Sequence, residues 1–140
     1  MQTFLPYRDF EKSARALDYR RLGKQRVEAW QIYQAIKDPS YGWQNHPAVK
    51  MWRGYENALL YYGMWICLIW RVRGYKDTLY DKFVSEMLKQ AKPFKITYPP
   101  WLGKRSFHIS HRSNLLRKDK KYYAQEFKGV PNNLPYVWPV

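Results

Sequence analysis

The chain has 140 residues, carries 25 lysines and arginines against 11 aspartates and glutamates for a formal net charge of +14, and is 46% hydrophobic. This length predicts one domain, 1–140, and an aromatic content of 19% supplies enough apolar surface to exclude a disordered chain. A single cysteine excludes a disulfide-stapled secreted scaffold, and the first residues lack a secretory signal pattern, so we expect a cytoplasmic protein.

The first third of the chain predicts two helices. Asp9 can cap a short helix that ends near Asp18, because apolar residues recur on one face at i, i+4 and i+7. A second amphipathic helix is predicted over about 21–37, and the turn residues of 38–42 end it.

The middle of the chain predicts one long helix that carries the core. Asn45 and Pro47 indicate its start, and Gly74 indicates its end. Its most apolar stretch, 58–70, is shorter than the roughly 20 residues that span a bilayer, so we expect a buried helix and no membrane partner.

A fourth helix is predicted from Asp77 or Thr78, and prolines and a glycine then predict an irregular, basic loop over 93–103. A last short helix is predicted over 110–123, followed by a proline-rich, aromatic tail, 130–140, that packs back on the domain. No run alternates with period two, so the predicted fold class is all-α, a single compact helical domain.

Basic residues are concentrated in the second half of the chain. Residues 71–140 carry 15 basic against 5 acidic side chains, and 89–128 alone has 11 basic against two acidic. Such a density repels itself unless an anion binds, which favours a polyphosphate backbone as partner. A solubilising surface is the alternative, and an anionic membrane is disfavoured because no basic stretch forms a clean amphipathic helix.

One face of the second helix combines a carboxylate with donors suited to phosphate. Arg21, Gln25 and Glu28 lie on this face, so the acid could act on a sugar while the donors hold DNA. An ordinary salt-bridged surface is the alternative.

Residues 106–118 mix hydroxyls, imidazoles and an amide with cations, which suits phosphate and base-edge contacts. His108 and His111 have the spacing of metal ligands, but no third ligand is near, so we expect no metal and no cofactor. His46 lies at a helix start and either caps the loop or contacts an extruded nucleotide. The aromatic residues among the cations either stack on unpaired bases or belong to the core.

The order of these features resembles the pyrimidine dimer DNA glycosylase/AP lyase family of the phage T4 endonuclease V type. The segment 17–22 with Arg26 and Val27 is similar to the family's tyrosine-arginine stretch, and His46 precedes an aromatic helix that ends at 73–75 as the family's helix does. Ile109 and Ser110 near the late helix and the aromatic-basic stretch 120–123 complete the resemblance.

The resemblance implies an all-helical, nucleoid-associated monomer that binds duplex DNA and needs no protein partner. It also implies that the N-terminal α-amine displaces the damaged base at C1′, leaves an imine and cuts the strand by β-elimination, assisted by a helix carboxylate. Two alternatives stay open: a non-enzymatic DNA-binding module, and a glycosylase for a modified phage or host base.

The chain departs from the family at two positions, the nucleophilic amine and the catalytic carboxylate. The family exposes its amine before a small residue, whereas Gln2 is large, so either Met1 or Gln2 supplies the nucleophile, with Lys24 as the alternative. Arg21 stands where the family has its catalytic glutamate, so we assign the acid to Glu28, on the same face as Arg21, with Asp18 second. The expected DNA-binding residues are Arg20, Lys24, Gln25, Arg26, His46, Lys104, Arg105, His108, His111, Arg112, Asn114, Arg117, Lys118 and Lys121.

Overall fold

A computed structural model describes all 140 residues, and its regular structure is entirely helical, which confirms the predicted all-α class. The helices are α1 (Phe10–Ala16), α2 (Tyr19–Lys37), α3 (Pro47–Trp52), α4 (Glu56–Val72), α5 (Leu79–Leu88), α6 (Arg105–Lys118) and α7 (Lys120–Tyr123). None of them is long and apolar enough to span a bilayer.

Helix α4 is the centre of the molecule, as its apolar composition predicts. Helices α1, α2 and α5 all pack against it. Gly63 makes the approach of α5 possible, because a Cβ at this position would lie 2.2 Å from the ring of the fully buried Phe83. Even an alanine here would therefore push α5 away from α4.

The predicted long third helix is wrong in one respect, because the chain forms two helices there. Gly54 adopts a left-handed conformation with φ of +87°, which ends α3 and redirects the chain into α4. The cap of α3 is His46, not Asn45: the Nδ1 atom of His46 accepts the backbone N–H of Ala48 at 3.0 Å.

The predicted last helix, 110–123, is also two helices and begins earlier. Helix α6 starts at Arg105 and ends before Asp119, whose extended backbone breaks the helix and whose side chain accepts the N–H of Tyr122 to start α7. The sequence pattern of α6 does not show an apolar face, because polar residues occur on every side of the helix. Several of these polar side chains are buried and make hydrogen bonds within the protein.

The N-terminal segment, 1–9, is not helical, and residues 2–6 are buried. Its backbone groups are satisfied by side chains in place of a sheet, as buried polar groups require. The N–H of Phe4 donates to Gln25 Oε1 at 2.8 Å, and its carbonyl accepts from the hydroxyl of Tyr62 at 2.8 Å. Arg112 Nε donates to the carbonyl of Pro6 at 2.6 Å.

Two histidines of α6 bind both polar backbone atoms of Leu5. Its N–H donates to His111 Nδ1 at 2.9 Å, and its carbonyl lies 2.8 Å from His108 Nδ1. Because His108 Nε2 accepts the N–H of Gly103 at 2.8 Å, the remaining proton of a neutral His108 is on Nδ1 and points at Leu5. Burial lowers the pKa of His111 to about 3, so it stays neutral at physiological pH.

The tail, 130–140, packs back as predicted, and α6 supplies its anchors. Arg117 donates to the carbonyls of Asn132 at 2.6 Å and Leu134 at 2.8 Å, and Ser113 Oγ accepts the N–H of Leu134 at 3.0 Å. This places Tyr136 against Phe4, with ring centroids 6.2 Å apart. The tail therefore covers the N-terminal segment.

Candidate active site

A pocket of about 360 Å³ opens where the N-terminal segment passes α2, and we call it the amine pocket. The lining comes from the N-terminal segment, α2, the end of α6 and the tail. Its residues are Met1, Gln2, Phe4, Arg20, Arg21, Lys24, Gln25, Glu28, Lys118 and Tyr136. Four of the five residues predicted as catalytic line this one pocket.

Glu28 is the carboxylate of the pocket, and its residue is only 9% exposed. The backbone N–H of Gln2 donates to Glu28 Oε2 at 3.4 Å, which brings the carboxylate within one residue of the chain's α-amine. Gln25 Nε2 donates to the same oxygen at 2.9 Å, and Lys24 Nζ lies 3.8 Å from Oε1. The carboxylate is therefore held in a fixed position with access to the pocket.

Gln25 joins the pocket to the core. Its Oε1 accepts both the N–H of Phe4 and the hydroxyl of Tyr62, at 2.8 and 2.9 Å, while its Nε2 holds Glu28. All of its hydrogen bonds are internal and the side chain is buried. This geometry gives Gln25 a positioning role and leaves it no surface for the DNA contact predicted from the sequence.

His46 contacts the α-amine with one ring nitrogen and caps α3 with the other. Its Nε2 lies 3.5 Å from the nitrogen of Met1. Burial, and then the neighbouring terminal charge, lower the pKa of His46. Because Nδ1 accepts the N–H of Ala48, a neutral ring carries its proton on Nε2 and can only donate toward the amine. His46 therefore fixes the position of the α-amine.

Cations surround the pocket mouth. Arg20 and Lys118 are exposed, the Lys24 side chain is 74% exposed, and Arg21 is half-buried. Lys104, Arg105 and Lys121 are also exposed but do not line the pocket. Exposed cations at the rim of the pocket are suited to phosphates on either side of a reacting sugar.

Asp18, the second candidate acid, is used elsewhere. Its carboxylate accepts the hydroxyl of Tyr123 and, at 3.2 Å, Arg21 Nη1, while its own N–H donates to the Tyr123 hydroxyl at 2.8 Å. Asp18 therefore fastens the start of α2 to α7. It does not line the amine pocket, so the geometry favours Glu28 as the acid.

Several other residues predicted to bind DNA are occupied by internal contacts. Arg26 pairs with Asp77 at 2.6 Å and lies over the ring of Trp70, and Arg117 and Asn114 hold the tail. His108, His111 and Arg112 hold the N-terminal segment. The positions of these residues explain the unusual polarity of α6 without any nucleic acid.

The sequence analysis missed Tyr136 as a pocket residue. Burial raises the pKa of Tyr136 to about 12, so its phenol stays neutral beside the pocket. A signal was present: Leu134, Tyr136 and Trp138 alternate along the tail, which is typical of an extended segment with one buried face.

The pocket thus combines exposed cations, a chain amine and a carboxylate in an all-helical fold. The family model described as pyrimidine dimer DNA glycosylase matches residues 1–83. The chain belongs to this family, which makes it a DNA repair glycosylase with DNA as its substrate. No protein of curated function and no solved structure matches the chain.

The matched region ends within α5 and contains the N-terminal segment, Glu28 and His46. Helices α6 and α7 and the tail lie outside it. They nevertheless supply Lys118 and Tyr136 to the pocket and hold the N-terminal segment in place. The site is therefore built from both halves of the chain.

Proposed function

We propose that the protein excises pyrimidine dimers from duplex DNA with its N-terminal α-amine and then cuts the strand as an AP lyase. The observation that supports this most directly is that Met1 and Glu28 line one pocket, with His46 in contact with the Met1 nitrogen. The protein acts as a monomer in this proposal, because every group that the chemistry needs is present in one chain.

In the first step the amine attacks C1′ of the damaged nucleotide and the bond from C1′ to the base nitrogen breaks, with its electron pair leaving on the base. Glu28 stabilises the positive charge that develops on the sugar. The attacking nitrogen then loses its proton, and ring opening of the sugar gives an imine between the protein and C1′. His46 holds the amine in place before attack.

In the second step the imine acidifies the protons on C2′. Glu28 accepts one of them, and the electron pair forms the C2′–C3′ double bond as the 3′ phosphate leaves. Water then hydrolyses the imine and releases the amine for another cycle. Arg20, Lys24 and Lys118 bind the flanking phosphates throughout.

The substrate is tested with a plasmid that is either irradiated with ultraviolet light or left untreated. We expect nicks only in the irradiated plasmid. Tight binding without nicks on either plasmid would contradict the enzyme and support a DNA-binding module. Nicking of phage DNA that carries modified bases, with none on the irradiated plasmid, would move the substrate to a modified base.

The nucleophile is tested by adding borohydride during the reaction on a duplex that contains one abasic site. Reduction converts the imine into a stable amine, so we expect a covalent protein–DNA adduct that mass spectrometry places on the peptide beginning at Met1 or Gln2. The matched control is Lys24→Ala, which should still be trapped. An adduct on Lys24 in the wild-type protein would refute the terminal amine as nucleophile.

A further inference from the structure

Trp43 combines two features that a fold avoids when it can. Its side chain is 56% exposed, although tryptophan is among the most apolar residues. Its backbone has φ of +71°, and it is the one non-glycine residue of the chain in the left-handed region. A bulky residue with positive φ is a genuine outlier, and such strain collects at functional sites.

The loop that carries Trp43 is held in place by hydrogen bonds of Gln44 and Arg53. The side-chain amide of the next residue, Gln44, donates to three backbone carbonyls at 2.7 to 3.0 Å, one in the last turn of α2 and two in the α2–α3 connection. Arg53 in turn donates to Gln44 Oε1 at 2.6 Å and to its carbonyl at 3.0 Å. The exposed ring is thus presented on a rigid base and is not on a loose loop.

The ring contacts the histidine that lies against the α-amine. Its centroid is 5.8 Å from that of His46, in an edge-to-face contact, and His46 Nε2 is 3.5 Å from the Met1 nitrogen. The other exposed aromatic side chains lie elsewhere and have aromatic neighbours, as Tyr19 has in Trp70 and Tyr75. Among the exposed aromatic residues, Trp43 is the one that contacts His46.

We propose that Trp43 inserts into the base stack at the damaged site and holds the duplex open while the amine reaches C1′. This inference rests on the proposed function, because it assumes attack at a sugar in duplex DNA. Opening a duplex breaks base stacking, and an inserted apolar side chain replaces part of it. A ring that is already rigid loses little freedom on insertion, which accounts for a strained and exposed tryptophan at this place.

The test compares the wild-type protein with Trp43→Ala and Trp43→Phe on an abasic site placed in a duplex or in a single strand. Stacking of one base on an aromatic ring corresponds to roughly 10-fold or more in rate or affinity. We expect Trp43→Ala to cut the duplex at least about 10-fold more slowly in single turnover, and the single strand within about 2-fold of wild type. Trp43→Phe should recover most of the duplex activity.

Two results would overturn the inference. If Trp43→Ala cuts the duplex as fast as wild type, the ring does not insert. If both substrates lose activity equally, Trp43 only supports His46 and the amine. A third measurement is independent of cleavage: the fluorescence of 2-aminopurine beside the abasic site should fall when the wild-type protein binds, because the inserted ring stacks on it, and should not fall with Trp43→Ala. Absence of cutting by the wild type would instead refute the proposed function.

Discussion

The buried histidine that holds the N-terminal segment should make stability depend on pH. In the folded protein burial lowers the pKa of His111 to about 3, against an ordinary value of 6.5. Below pH 6.5 the unfolded chain takes up a proton on this residue and the folded protein does not, so the free energy of unfolding falls as the pH falls. The loss continues until the pH approaches the folded value.

The size of the effect follows from these two values. At pH 5 a group with pKa 6.5 is almost fully protonated when unfolded, and each pH unit is worth about 1.36 kcal/mol, so His111 lowers stability by about 2 kcal/mol relative to pH 7. The variant His111→Gln keeps an acceptor for the N–H of Leu5 and has no proton to gain.

The measurement is urea unfolding followed by circular dichroism at pH 7, 6 and 5 for both proteins. Gln is expected to lower stability at pH 7, because it lacks the ring that packs on Phe107. The wild-type protein should then lose about 2 kcal/mol more than the variant between pH 7 and pH 5. His108 is present in both proteins, so its own contribution cancels. Parallel pH curves would refute the assignment of His111 as a buried neutral group.

Four further substitutions distinguish residues of the site from residues that only support the fold. Glu28→Gln keeps the size and hydrogen bonds of the side chain and should leave DNA binding within a few-fold while it slows strand cleavage by at least about 10², measured in single turnover; full activity would contradict the role of Glu28. Asp18→Asn should instead lower the melting temperature, because its contacts fasten α2 to α7, and a loss of activity with unchanged stability would restore it as a candidate acid. Arg117→Ala should lower the free energy of unfolding by about 1 kcal/mol, because the tail loses its anchors. Lys118→Ala should instead weaken binding to all DNA sequences alike in a titration. Weaker DNA binding by Arg117→Ala with unchanged stability would contradict the tail contacts.

Local signals predicted most of the helical architecture. The cap at Asp9 is confirmed by its hydrogen bond to the N–H of Lys12 at 2.7 Å, and α2 ends at Lys37 as predicted. The split between α3 and α4 was visible at Gly54, but a glycine inside an apolar pattern is also tolerated within a helix, so the sequence alone left it undecided.

The sequence predicted only the part of the site that lies on one face of α2. The spacing of Gln25 and Glu28 correctly placed them side by side, because i, i+3 neighbours meet on a helix. It could not show that the N-terminal segment would lie against them or that α6 would bind it. Leu5 and His111 are 106 residues apart, and no local pattern specifies such a pair. The same polar spacing of His108 and His111 that suggested DNA contacts serves a peptide backbone equally well.

The burial of residues 2–6 also bears on how the protein is made. Leu5 and Pro6 are bound by side chains of α6 that lie 106 residues later in the chain, so this segment takes its place only after α6 has been synthesised. An isolated piece that covers the family-matched residues 1–83 lacks those partners. Contacts between distant parts of a sequence slow folding, because a long loop must close before they form. This protein should therefore fold more slowly than helical bundles of the same length, and its active site should be the last part to assemble.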